Sequence, residues 1–160
     1  MSFIQIIPFR ADLAPAFATL NRRWIEAFFE METSDAKILN DPETVIITSG
    51  GTVFFAMDGD VPIGTVAVLR MDADTFELAK MTVTPTHQGR GIGEQLGHAA
   101  IDWAREHKVR MLVLETNRKL AGAIRLYERL GFVHATRPTP SEFARADVYM
   151  QLDLSHRRIE

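Results

Sequence analysis

The spacing of apolar positions changes character several times along the chain, and each change predicts an element. Phe3-Ile4-Gln5-Ile6-Ile7 is a short apolar run ended by Pro8 and predicts a strand over residues 2–7. From Asp12 to about Phe29 the period becomes helical. Leu13, Phe17, Leu20, Trp24 and Phe28 recur at spacings of four, three, four and four, so one helical face carries them into the core. A second short helix is expected over residues 34–40, ended before Pro42. Thr52–Met57, Val61–Met71 and Phe76–Thr84 then read as strands separated by turn-forming stretches, Asp58-Gly59 and Asp72–Thr75. Neighbouring strands with such tight turns predict an antiparallel meander.

The helical period returns from Gly91 to about Glu106, with Ile92, Leu96, Ala99, Ala100, Trp103 and Ala104 on one face. Met111-Leu112-Val113-Leu114 is continuously apolar, as in a strand covered on both faces. A helix over about Leu120–Leu130 presents Ala123, Ile124, Tyr127 and Leu130 on one side, and Gly131 follows as a C-terminal stop. Phe132–Ala135 and Ala146–Leu154 read as two last strands around Pro138 and Pro140. The resulting order, β-α-α-β-β-β-α-β-α-β-β, is a mixed α/β domain and not a regular βαβ series.

Composition narrows the function classes. The 160 residues suit one domain, 1–160, able to bury roughly 70% of the surface its unfolded chain exposes. There is no cysteine, which excludes a disulfide scaffold, a thiolate metal site and a cysteine nucleophile. A net charge of -3 gives no basic field for nucleic acid, and no apolar run approaches the roughly 20 residues that span a bilayer. No basic stretch precedes the apolar start, so it is not a signal peptide, and a cytoplasmic globule is expected. Histidines 87, 98, 107, 134 and 156 lack metal-ligand spacing, so no metal is expected; His87 is expected to be an exposed loop residue.

The stretch Gln88-Gly89-Arg90-Gly91-Ile92-Gly93 places three alternating glycines between a strand and an amphipathic helix. Glycine permits positive φ and close approach of a ligand to the backbone. A helix N-terminus adds unpaired N–H groups and partial positive charge, which suits a pyrophosphate. Taken alone, the same stretch also fits a glycine-rich turn that binds nothing. It is not a Walker loop, because Glu94-Gln95 follow Gly93 where Lys and Ser/Thr are required. Nor is it a dinucleotide fingerprint, because Glu94 or Leu96 stands where the last small residue belongs.

Gln88, Gly91 and Gly93 do match Gln-x-x-Gly-x-Gly, and this resembles the coenzyme A loop of the GNAT superfamily of N-acetyltransferases. The helix ending Leu126-Tyr127-Glu128-Arg129-Leu130-Gly131-Phe132 resembles the second hallmark of that superfamily, and the element order is also similar. The resemblance implies a central, mostly antiparallel sheet of six to seven strands flanked by about four helices. It implies acetyl-CoA as cosubstrate, held at the pyrophosphate by Gln88, Gly89, Arg90, Gly91, Ile92 and Gly93 and at the pantetheine arm by Met81, Thr82 and Val83. Arg90 suits a phosphate or simply solvent, and Glu94 is expected to point away from the phosphates. The acceptor implied is the primary amine of a small molecule or peptide, and homodimers are common among similar proteins.

Two residues stand where the superfamily carries proton-transfer groups. Glu77, eleven residues before Gln88, is a general-base candidate. Strand alternation puts it on one face with Ala79, Met81 and Val83, where apolar neighbours would raise its pKa. A solvated carboxylate is the other reading. Tyr127 is the candidate acid for the departing thiolate, though it also belongs to the apolar helix face. Many relatives have an asparagine where this chain has Leu120; Asn117 is close by and is a candidate contact for cofactor or substrate. The Trp24, Phe28, Phe29 cluster reads as core, with Arg22, Arg23, Glu26, Glu30 or Glu32 as possible acceptor contacts. The alternative function is an acyl-CoA-binding sensor with the same fold and no useful turnover.

Overall fold

A computed structural model describes residues 3–155; residue 2 of the first expected strand, His156 and the two ends of the expected 1–160 domain lie outside them. The described chain forms one seven-stranded sheet: β1 (Ile4–Pro8), β2 (Thr52–Asp58), β3 (Val61–Arg70), β4 (Thr75–Val83), β5 (Met111–Thr116), β7 (Val148–Asp153) and β6 (Val133–His134), in that spatial order. Only β4–β5 is parallel; every other neighbouring pair is antiparallel. Helices α1 (Ala14–Phe28) and α2 (Thr33–Asn40) cover one face, and α3 (Ile92–Glu106) and α4 (Ala121–Leu130) the other. The order expected from periodicity holds throughout. A π-helical turn over Glu43–Ile47, which no apolar period announces, joins α2 to β2.

Each face has its own core. Phe17, Ile25, Leu39, Val53, Phe55 and Ala67 pack beneath α1 and α2. Val66, Val68, Leu78, Leu96, Ala100, Leu112 and Leu130 pack beneath α3 and α4. The expected core face of α1 is correct at Leu13, Phe17 and Leu20 but fails at its end: Ile25 is fully buried, whereas Phe28 is 58% exposed. Phe28 instead lines the cleft described below.

One tight approach tests the packing. A Cβ on Gly51 would lie 2.1 Å from the Val68 carbonyl oxygen and 3.1 Å from Ile46 Cγ2. Backbone cannot yield as a side-chain tip can, so Gly51→Ala should destabilise the fold by about 1–3 kcal/mol, read as a lower urea midpoint.

Candidate active site

The site begins where two strands part. β4 and β5 pair only at Thr75–Met111, Phe76–Leu112 and Glu77–Val113, although β4 continues to Val83 and β5 to Thr116. Beyond Glu77, β4 stays with β3, while β5 stays paired with β7 as far as Thr116–Val148. The backbone groups along the facing edges are left without ladder partners. A cleft of about 560 Å³ occupies the split and reaches both faces of the sheet, from Trp24 and Phe29 near α1 to Gly91 and Tyr127 at α3 and α4.

A bulge accompanies the split. Thr65 opposes Thr82 and Ala67 opposes Ala79, so Lys80 and Met81 together face a single β3 residue. Lys80 takes φ of 53°. Such a conformation costs a non-glycine residue about 1–3 kcal/mol, which the surroundings must offset. The bulge overturns the expected alternation. Glu77 and Ala79 oppose Leu69 and Ala67 and share their face with α1 and α2, whereas Met81 and Val83 pack against the α3–α4 core. An inserted residue reverses the facing of everything after it.

At the α3 end the backbone makes a cradle. Gly89 and Gly91 have φ of 79° and 76°, and no atom lies within 4 Å of where either Cβ would stand. Gly91 is the N-cap of α3, so the free N–H groups of the first helical turn lie next to this open space. Gly93 serves packing instead: a Cβ there would meet Leu126 Cδ2 at 3.0 Å, so its absence lets α3 and α4 approach. Gln88 Nε2 donates to the Val83 carbonyl at 3.0 Å, tying the turn to the end of β4. His87 is held rather than free. Its Nε2 lies 2.9 Å from Asp58 Oδ2 and its Nδ1 2.8 Å from Thr86 Oγ1, and its side chain is only 16% exposed, which corrects the expectation of a solvated loop residue.

At the opposite end the cleft is charged and aromatic. Glu77 sits at the last paired position of β4, where burial first, and then the Glu115 charge on β5, push its carboxyl up to about 7. Lys80 and Arg137 pull it the other way. Lys80 Nζ donates to Asp35 Oδ1 at 2.6 Å, and the Arg145 guanidinium grips both Asp35 oxygens and Glu32. Arg145 also lies 4.8 Å from the centre of the Phe143 ring, 5.7 Å from Phe29 and 5.8 Å from Trp24. Phe143 and Arg145 belong to the 135–147 loop, which Ser141 pins to Glu115.

Most of the residues expected from the sequence line this one cleft. Glu77, Met81, Thr82, Val83, Gln88, Gly89, Gly91, Ile92, Gly93, Asn117 and Tyr127 all line the cleft. Arg90 is exposed on the turn and is not part of the lining. Glu94, expected to point away, is part of it. Asn117 has both ends of its amide engaged: Nδ2 donates to the Arg145 carbonyl at 2.7 Å and Oδ1 accepts from the Lys119 N–H. Tyr127 has both characters weighed for it. Its ring is buried in the α3–α4 core, edge-on to Phe132, and it lines the cleft. Burial pushes its hydroxyl up to about 12. Trp24, Phe28 and Phe29, expected in the core, form a cleft wall, and of the charged candidates Glu32, the N-cap of α2, is engaged by Arg145.

Lys80, Arg145, Phe143, Glu115 and Asp35 were missed. One signal was legible: strict alternation would put the Lys80 charge on the core face of Leu78, and that conflict marks the bulge. Among the described residues no group of three or more His, Asp or Glu is placed to hold a metal, and no helix is long and apolar enough to cross a membrane.

The chain presents a mixed sheet split between its parallel strands, with a glycine cradle at one end of the split and a half-buried carboxylate at its apex. The sequence model of the Acetyltransferase (GNAT) family matches residues 15–132, and the chain belongs to that family. It is 34% identical over 119 residues to human N-acetylaspartate synthetase, covering 71% of this chain and 38% of that one. It is 26% identical over 140 residues to human N-acetyltransferase 8B, covering 82% and 60%. The chain thus spans less than two thirds of the length of these curated relatives. A GNAT acetyltransferase of Staphylococcus aureus superposes with a TM-score of 0.87 at 21% identity, covering 95% of this chain and 99% of that one. A putative acetyltransferase of Salmonella typhimurium, solved with its cofactor acetyl-CoA, superposes with a TM-score of 0.78 at 21% identity, covering 98% and 96%.

Proposed function

We propose that the chain transfers an acetyl group from acetyl-CoA to a primary amine by direct attack of the amine, without an acyl-enzyme. The observation that carries this reading is the split between β4 and β5, which opens at one end on the glycine cradle and at the other on Glu77. Acetyl-CoA bound to a neighbour of the same fold supports the cosubstrate, and relatives named as N-acetyltransferases support the reaction class. The cradle fits the group: Gly89 and Gly91 leave open space beside unpaired N–H groups at the start of a 15-residue helix. When bound, acetyl-CoA supplies the activated acetyl group and a thiolate leaving group.

In this reading the turn from Gln88 to Gly93 holds the pyrophosphate. Arg90 adds only diffuse positive charge from the exposed rim. Met81, Thr82 and Val83 receive the pantetheine arm along the free edge of β4, and an N–H there donates to the carbonyl oxygen as it gains charge. Glu77, poised near neutrality, takes the proton of the amine directly or through water. Tyr127 stays protonated at every working pH and donates to the departing sulfur. Asn117 acts through the 135–147 loop, whose Arg145 carbonyl it holds. The acceptor enters past Trp24, Phe29 and Phe143.

Gly91→Asp tests the cofactor end. Aspartate tolerates positive φ better than most residues, and the space above Gly91 is open, so the fold should survive. The added carboxylate would stand beside the pyrophosphate. Calorimetry should show acetyl-CoA affinity reduced at least about tenfold, or about 1.4 kcal/mol. Unchanged affinity in a folded variant would remove the pyrophosphate from this turn.

A further inference from the structure

Asp35 is the only acidic side chain among the described residues that has no exposure at all, and it lies on α2. Its two oxygens accept from four donors: Lys80 Nζ, both terminal nitrogens of Arg145 and the Glu32 N–H. These partners are distant in sequence, 45 residues away for Lys80 and 110 for Arg145. Burial alone would raise the carboxyl, but the hydrogen bonds from Arg145 and Lys80 more than offset it and hold it at about 2. A buried charge cluster of this kind seldom outperforms apolar packing of the same volume. Its value lies in the geometry that it imposes.

That geometry concerns both walls of the cleft. Lys80 is the residue of the β4 bulge, held in a left-handed conformation immediately before Met81, Thr82 and Val83. Arg145 belongs to the 135–147 loop, which brings Phe143, Arg145 and Ala146 to the other wall. Both cations line the cleft, and both are already engaged by carboxylates. Both terminal nitrogens of Arg145 are engaged by Asp35 and Glu32, and the Lys80 side chain is 5% exposed, between Asp35 and the face of Phe143.

We infer that Asp35 is a positioning residue for acyl transfer, clamping the Lys80 bulge and the Arg145 loop to one point so that the β4 backbone donors and the acceptor wall keep a fixed separation. The inference rests on the acyltransferase reading of the cleft, and Asp35 itself touches no reacting group. Without the clamp, the strained Lys80 conformation relaxes and the donor row moves, while the glycine turn and its hold on CoA persist.

Asp35→Asn is the first test, with circular dichroism to confirm folding. It should lower kcat at least tenfold while KM for acetyl-CoA stays within twofold. Amide hydrogen exchange should quicken at residues 80–83 and 143–146 together and stay unchanged in β1 and β2. Glycine takes positive φ without an anchor. Adding Lys80→Gly to Asp35→Asn should therefore recover at least threefold of the lost kcat, a rescue that general loss of stability would not give. Unchanged kcat and unchanged exchange in a folded Asp35→Asn protein would overturn the inference, as would a double variant no faster than the single one. If Asp35→Asn does not fold, Lys80→Gly should exceed Lys80→Ala at least fivefold in kcat; equal values would overturn it. If the wild-type chain transfers acetyl to no amine, the acyltransferase reading fails by itself. The exchange experiment then still decides whether Asp35 couples the two walls.

Discussion

Glu77→Gln should lower kcat/KM by about 10²–10³-fold and erase the acidic limb of the pH–rate profile, while acetyl-CoA binding persists. The carboxyl is pushed up to about 7, first by burial and then by Glu115. Activity of the wild type should accordingly rise through pH 7 as the base loses its proton. The same shift has a consequence for stability. With a folded value of about 7 against 4.5 unfolded, the folded protein holds a proton that the unfolded chain releases between those values. Stability is therefore full below pH 4.5, falls as pH rises through 7 and levels off above it. The ionised form costs up to about 3 kcal/mol, and glutamine avoids that cost. Glu77→Gln should melt above wild type at pH 8 and close to it at pH 4. Lost activity with gained stability, confined to the alkaline side, distinguishes a strained functional carboxylate from a surface ion, whose replacement would move neither.

Tyr127→Phe should reduce the single-turnover rate by about 10²-fold, the usual scale of one proton-transfer group, with little change in acetyl-CoA affinity. The phenyl ring keeps the contact with Phe132, so stability should change little. A hydroxyl at about 12 does not ionise at working pH. The wild-type profile should therefore rise through 7 and show no alkaline fall from this group below about pH 11. The deficit should shrink with an acyl donor whose leaving group is less basic, because that group needs less protonation. A folded Tyr127→Phe protein with an unaltered single-turnover rate would leave Tyr127 as a packing residue only. Chemistry must limit the observed rate for either comparison, which is why single-turnover measurements are specified.

The two ends of the cleft differed in how far the sequence revealed them. The glycine-turn end is local: Gln88 to Gly93 is one turn, and Tyr127 belongs to a helix with a clear apolar period, so both stretches could be matched to the hallmarks of the superfamily. The element order was legible for the same reason, since periods of two and 3.6 residues follow directly from which face meets a core. The charged, aromatic end is assembled from distant parts. Asp35 reaches Lys80 across 45 residues and Arg145 across 110, and no local pattern encodes such a meeting. The bulge lay between these cases. It reversed Met81 and Val83 relative to Glu77, and the only sign in the sequence was a lysine on a position reserved for the core. The end of α1 differed for a related reason: Phe28 keeps the helical period, but it lines the open cleft and is left 58% exposed. Periodicity reports which face a residue takes, not whether that face still meets a core.

In the proposed reaction the split between β4 and β5 brings an amine to the thioester of acetyl-CoA. The most direct measurement is release of free thiol from acetyl-CoA by the purified protein, with and without a panel of small-molecule and peptide amines, across pH 5 to 9. Thiol release should depend on added amine, match acetylated amine one for one, and rise through about pH 7. Tight acetyl-CoA binding without amine-dependent release at any pH would contradict it and leave the chain as an acyl-CoA-binding module.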